Sequence, residues 1–264
     1  MKGRVLIVAG SDSGGGAGIQ ADIKTVAALG GFAMTAITAL TAQNTQGVSG
    51  VYPTPPAFVA AQMRAVLSDL GADALKTGML VDAPTIAAVA DVLEEMHISA
   101  PLVLDPVMVA KGGHALLDPA AVATLKSRLI PKAALLTPNL PEAEALSGLK
   151  LNSEADLEPC LVRLAELGAK SVLLKGGHME GEMVIDLLWH EGRIERFAAP
   201  RINTRNTHGT GCTLASAIAC GLAQGMGLVP AIERAREYLR QAIETAPGYG
   251  SGHGPLNHGH NVSA

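Results

Sequence analysis

The chain has 264 residues, 48% hydrophobic and 17% charged, and its 20 basic and 24 acidic residues leave a net charge of -4. That balance excludes a polybasic surface for nucleic acid or acidic lipid. Three Phe, three Tyr and one Trp are too few for a base-stacking platform.

Val5–Ala9 reads as a buried strand, followed by the glycine-rich loop Gly10–Gly18. Ile19–Leu29 has helical spacing and stops at Gly30-Gly31. Phe32–Leu40 is a second strand, Pro56–Leu70 a helix with Pro in its first turn, and Ala74–Thr77 a short strand. Ala83–Met96 is a helix and Leu102–Leu104 a strand ending at Asp105-Pro106. Asp118 is placed to cap a helix over Pro119–Leu129. Ala133–Leu136 is a strand, Glu154–Leu167 a helix and Ser171–Leu174 a strand ending at Lys175-Gly176-Gly177. Met183–His190 and Arg193–Ala199 suit an edge hairpin, and Thr210–Leu222 and Pro230–Thr245 two closing helices. The tail from Gly248, with His258 and His260, reads as loose at its end.

Repeated strand–helix alternation with nearly all-apolar strands means a mostly parallel sheet covered on both faces, in one domain over residues 1–264. In such sheets ligands bind beyond the carboxyl ends of the strands. Those ends carry Ser11, Asp12, Gln43, Asn44, Lys76, Asp105, Asn139 and Lys175.

Cys160, Cys212 and Cys220 are odd in number and form no CxxC, so neither a disulfide framework nor a zinc site is indicated and a reducing cytoplasm is expected. The first apolar run is too short for a signal peptide, and no run reaches the ~18 residues of a membrane span. The sequon Asn261-Val262-Ser263 carries no meaning in a cytosolic chain.

Asn206-Thr207-His208-Gly209-Thr210-Gly211-Cys212-Thr213 precedes an apolar helical run. Glycines flanking a small residue let backbone N–H groups converge, and the helix dipole adds positive potential, which suits a phosphoryl group. An ordinary glycine-rich helix start has the same composition. No GxxxxGK[ST] occurs, so this is not a Walker-type site. A thiol at a helix start has its thiolate favoured by the dipole and nearby cations, so Cys212 is a candidate base; small buried residue is the bland alternative. Asp105 and Glu142 are hard oxygen donors suited to magnesium shared with substrate phosphates, or else caps. Lys175 is placed to neutralise a transferring phosphoryl group, unless it is merely solvated. Gln43 offers donors and an acceptor in one plane, matching an aminopyrimidine edge, but is equally able to serve as a loop amide.

In order along the chain, Ala9-Gly10-Ser11-Asp12-Ser13-Gly14-Gly15-Gly16-Ala17-Gly18-Ile19-Gln20-Ala21-Asp22, Thr41-Ala42-Gln43-Asn44, Lys76-Thr77-Gly78-Met79, Leu104-Asp105-Pro106-Val107-Met108, Thr137-Pro138-Asn139-Leu140-Pro141-Glu142, Leu174-Lys175-Gly176-Gly177, Asn206–Thr213 and Gly252-His253-Gly254-Pro255 resemble the hydroxymethylpyrimidine/phosphomethylpyrimidine kinases of thiamine biosynthesis. The resemblance implies a ribokinase-like three-layer α/β/α fold with a central, mostly parallel sheet, usually a cytoplasmic homodimer, and two successive ATP-dependent transfers. It implies that Gln43 binds the pyrimidine edge with Ala17, Met79 and Val107 on its faces, and that Asp105 and Glu142 manage Mg2+. Lys175 would contact ATP phosphates, Thr207 and His208 would lie near the nucleotide, and Gly209, Thr210, Gly211 and Cys212 would form the anion hole. The wider superfamily has Asp where Cys212 stands, which leaves the base open. Pyridoxine kinase activity is the nearest rival, and a silent pyrimidine sensor the rival from another class. A Rossmann oxidoreductase is disfavoured, because Ile19 stands where GxGxxG needs glycine.

Overall fold

A computed structural model describes residues 2–108, 119–179 and 181–262. The expected cap Asp118 and the sequon's Ser263 lie outside the described residues. The elements in chain order are β1 (Arg4–Asp12), α1 (Gly18–Ala28), β2 (Phe32–Asn44), β3 (Gly47–Pro53), α2 (Pro56–Asp69), β4 (Ala74–Thr77), α3 (Ala83–Glu95), β5 (Leu102–Leu104), α4 (Pro119–Thr124), β6 (Leu135–Leu136), α5 (Leu140–Ser147), α6 (Leu157–Ala165), β7 (Ser171–Leu174), β8 (Met183–His190), β9 (Arg193–Pro200), α7 (Thr210–Ala223) and α8 (Leu228–Glu244).

The strands form one sheet in the order β3-β2-β1-β4-β5-β6-β7-β8-β9. Pairings from β2 through β7 are parallel, while β3 and the β8–β9 hairpin add antiparallel edges. Side chains alternate across the pleat. Leu6 and Val8 of β1 face a cluster built with α2, α3, α5 and α6. Val5, Ile7 and Ala9 face a second cluster built with α1, α7 and α8. Burial on both faces explains the continuous apolar strands, and the expected three-layer architecture is present.

Three differences from the sequence reading have local causes. β2 runs four residues past Leu40 because β3 pairs against its end; β3 went unseen because Gly47 and Gly50 interrupt it and most of its side chains face solvent. The helix read over Pro119–Leu129 turns into a π-helical segment at Leu125–Leu129, then a 3-10 turn holding Pro131, whose missing N–H cannot extend an α-helix. The short α5 went unseen although Asn139 and Glu142 form a complete capping box around Pro141.

The tail is also not loose. His258 is buried, its Nε2 lies 3.0 Å from Thr213 Oγ1, and Tyr238 donates to its carbonyl at 2.6 Å. His260 packs its ring against Tyr238 at 4.8 Å. Burial first, then the cations around it, push the His258 imidazole down to about 4.

Candidate active site

The sheet ladder sets the site as a row. Gly78 N–H donates to Val8 O, Asp105 N–H to Thr77 O, Thr137 N–H to Leu104 O and Lys175 N–H to Pro138 O, so each strand end is held by its parallel neighbour. A cavity of about 960 Å3 opens along that row. All the sequence-expected site residues line it: Ala17, Gln43, Met79, Asp105, Val107, Glu142, Lys175, Thr207, His208, Gly209, Thr210, Gly211 and Cys212.

Gly209 caps α7 with φ +88, the left-handed region. A Cβ there would collide with the Gly16 carbonyl, so only glycine lets the two loops interlock. The Gly211 and Cys212 amides belong to the first turn of α7, where N–H groups have no intrahelical acceptor. The Lys175 ammonium reaches this turn, 3.4 Å from where a Gly211 Cβ would stand. It donates to Asp105 Oδ1 at 2.8 Å, and Thr137 Oγ1 donates to the same oxygen at 3.1 Å. Burial would lower the Lys175 pKa, but Asp105 and Glu142 outweigh it and raise it.

Burial, reinforced by Asp105 and opposed by Lys175, pushes Glu142 up to about 7. Its Oε2 accepts from Asn139 N–H at 2.8 Å, so it caps α5 while facing the cavity. Two buried carboxylates beside one lysine are a hard-oxygen donor set with charge to spare, which fits Mg2+. Among the described residues no three His, Cys, Asp or Glu side chains cluster for a metal, so Asp105 and Glu142 are the pair that would hold such an ion.

Cys212 departs from the sequence expectation. Burial, with Asp22 and Asp105 nearby, outweighs Lys76 and the Gly18 amide and pushes the thiol up to about 11. The helix start does not produce a resting thiolate.

Elsewhere along the cavity wall, the Gln43 amide lies 3.1 Å from Thr41 Oγ1 and 3.3 Å from His208 Nε2. His208 Nε2 is 2.9 Å from Asp12 Oδ2, and Asp12 also accepts from Gly14, Gly16 and Ala17 amides. Burial would raise the Asp12 pKa, but the His208 ring and these amides hold it below the usual carboxylate range. The His208 ring therefore turns to the first loop and Gln43. Sequence reasoning placed Lys76 only among the strand-end polar residues and did not foresee that it forms a buried network with Asp22 and Ser216 next to Cys212. A lysine and an aspartate inside otherwise apolar elements were the available signal.

A cavity at the strand ends of a three-layer, mostly parallel sheet with antiparallel edges, lined by a helix start with free amides, a lysine and two carboxylates, is the arrangement of a small-molecule kinase of ribokinase-like fold. The sequence matches the model of phosphomethylpyrimidine kinase over residues 12–257. The chain is 48% identical to hydroxymethylpyrimidine/phosphomethylpyrimidine kinase of Bacillus subtilis, covering 97% of this chain and 94% of that one. It is 55% identical to the thiamine biosynthesis bifunctional protein ThiED of Geobacter sulfurreducens, covering 97% of this chain but only 52% of that longer one. Among solved structures, an ADP complex of Bacillus subtilis pyridoxal kinase superposes with TM-score 0.91 at 35% identity, covering 98% of each chain. The chain belongs to the phosphomethylpyrimidine kinase family.

Proposed function

We propose that the protein transfers the γ-phosphoryl group of ATP to the hydroxymethyl oxygen of 4-amino-5-hydroxymethyl-2-methylpyrimidine, and then a second phosphoryl group to the monoester formed, supplying the pyrimidine diphosphate for thiamine biosynthesis. The observation that carries this reading is that Gln43 and the turn at Gly209–Cys212 line one continuous cavity. Family membership and the relatives' names support the same acceptor.

The ring lies between Ala17, Met79 and Val107 with its amino edge on Gln43, which aims the hydroxymethyl oxygen at the α7 turn. That oxygen gives its proton to a base, for which Cys212 is the candidate, and attacks the γ-phosphorus; the bond to the β–γ bridging oxygen breaks, and ADP leaves with the charge. Amides of Gly211 and Cys212 and the Lys175 ammonium stabilise the equatorial oxygens, which is most of what phosphoryl transfer asks of a protein. Asp105 and Glu142 would hold Mg2+, which when bound neutralises phosphate charge. We further propose a cytoplasmic homodimer.

The experiment is product analysis with ATP, magnesium and the pyrimidine: mono- and diphosphate are expected, and ATP-independent binding alone would overturn the reading. The likeness to pyridoxal kinase favours a pyridine alcohol as second acceptor. Comparing kcat/KM for the two acceptors ranks them.

A further inference from the structure

His208 sits immediately before the anion-binding turn, yet its ring faces the acceptor pocket. Its place is fixed on three sides. Its amide donates to Gly254 O at 3.1 Å, a Cβ on Gly16 would stand 2.6 Å from its Cδ2, and its Nε2 meets Asp12 Oδ2 at 2.9 Å. Asp12 is itself pinned by three backbone N–H groups.

Hydrogen-bond bookkeeping then decides the state of Gln43. A carboxylate only accepts, so His208 Nε2 carries a proton and donates it to Asp12. A nitrogen that donates has no lone pair for a second partner. With Gln43 Nε2 toward His208 at 3.3 Å and Oε1 toward Thr41 Oγ1 at 3.1 Å, two donors would face each other. The Thr41 hydroxyl also has a closer acceptor, Ser11 O at 2.9 Å, which takes its single proton and leaves its lone pairs toward the amide. Turning the amide by a half-rotation removes the conflict: the carbonyl takes the longer arm of a three-centre bond from the His208 N–H, whose shorter arm goes to Asp12, and the NH2 meets the Thr41 oxygen.

We infer that His208, clamped by Asp12, is a specificity-determining positioning residue that fixes the Gln43 amide with its carbonyl toward the anion-binding turn and its NH2 toward Thr41. The second carbonyl lone pair and the second amide proton then present an ordered acceptor–donor edge to the cavity. A ring carrying an exocyclic amino group beside a ring nitrogen matches that order in one orientation. A pyridine alcohol lacking that pair does not. This rests on the reading above that Gln43 holds the pyrimidine edge.

Freed from His208, Gln43 can turn to suit either ring, so the loss should fall on discrimination. His208→Phe keeps the ring volume and removes the donor. Its ratio of kcat/KM for the aminopyrimidine alcohol over a pyridine alcohol such as pyridoxine should fall about tenfold, the scale of one hydrogen bond. The KM for ATP should stay within about twofold, since the ring contacts Asp12 and Gln43 and not Lys175 or the Gly211 and Cys212 amides proposed to hold the phosphates. His208→Gln, which returns an N–H near the Nε2 position, should restore most of the ratio. On a Gln43→Ala background, His208→Phe should change the ratio no further. Equal losses with and without Gln43, an unchanged ratio, or an ATP KM that rises in step would each overturn the inference. Should His208→Phe fail to fold, His208→Gln against the shorter His208→Asn carries the same comparison: the ratio kept by Gln and lost by Asn supports it, and equal ratios overturn it. A Gln43→Ala variant with unchanged pyrimidine affinity by calorimetric titration would instead sink the underlying acceptor reading, and this inference with it.

Discussion

Lys76 Nζ lies 2.9 Å from Asp22 Oδ1 and 3.0 Å from Oδ2, with neither side chain exposed. Ser216 Oγ donates to the same Asp22 at 2.7 Å, one helical turn beyond Cys212. The network therefore joins α1, β4 and α7, the helix that starts at the Gly209 turn. Burial would strip the lysine of its proton, but Asp22 outweighs it and raises its pKa. Removing one partner strands a buried charge. Lys76→Met or Asp22→Asn should cost about 3–5 kcal/mol in urea unfolding, and the double variant Lys76→Met/Asp22→Leu less than the sum. Additive losses would show that the two groups do not act as a pair.

Cys212 offers a sharper separation of the two transfers. The first acceptor is an alcohol that must lose a proton; the second is a phosphate monoester already ionised near neutral pH. A base contributes about 10²–10⁴-fold. Cys212→Ser should lower the first transfer by about 10²-fold and the second far less. Because the thiol is pushed up to about 11, the first transfer should also gain rate as pH rises from 7 to 9, and the serine variant should lose that slope. Equal losses in both steps, measured with the isolated acceptors, would remove Cys212 as the base.

Gly209 has no room for a side chain, because its φ is +88 and the Gly16 carbonyl closes on it. Gly209→Ala should destabilise the fold by about 1–3 kcal/mol. It should also lower kcat by about 10²-fold, since displaced oxyanion-type donors lose that much. Thermal unfolding and steady-state rates check the two effects separately. A rate loss with no loss of stability would mean that the loops do not interlock as described.

His258 makes stability depend on pH. In the fold its imidazole is held down to about 4, below the ordinary histidine value of about 6.5. The unfolded chain therefore binds a proton first as pH drops. The contribution is fully present above about 6.5 and disappears as pH falls toward 4. Between pH 7.5 and pH 5 it amounts to about 2 kcal/mol. His258→Gln should flatten the denaturant midpoint over that interval by this amount relative to the parent chain, and parallel curves would contradict the buried neutral state.

The strands and helices with strong periodicity were legible because their apolar runs answer to one requirement, burial on a sheet face. β4, β5 and β7 fall on the read boundaries. β3 and α5 were not, since one is an exposed edge and the other eight residues long. The site residues were legible as strand-end polar groups and motifs, but their pairings were not. Asp12 and His208 stand 196 positions apart, as Asp22 and Ser216 stand 194, and no local spacing encodes such contacts. The thiol state of Cys212 escaped for the same reason: the helix start is local, whereas the burial that chiefly opposes ionisation, and the two carboxylates that add to it, come from elsewhere in the chain.

The row of strand ends has a consequence for how the protein matures. Each rung joins segments far apart along the polypeptide, and the turn at Gly209 closes against Gly16 near the beginning of the chain. Loops of that length are slow to close. During refolding from denaturant, helical signal should return first and phosphotransfer last, so catalytic recovery is a clock for completion of the whole sheet rather than for any one part of it.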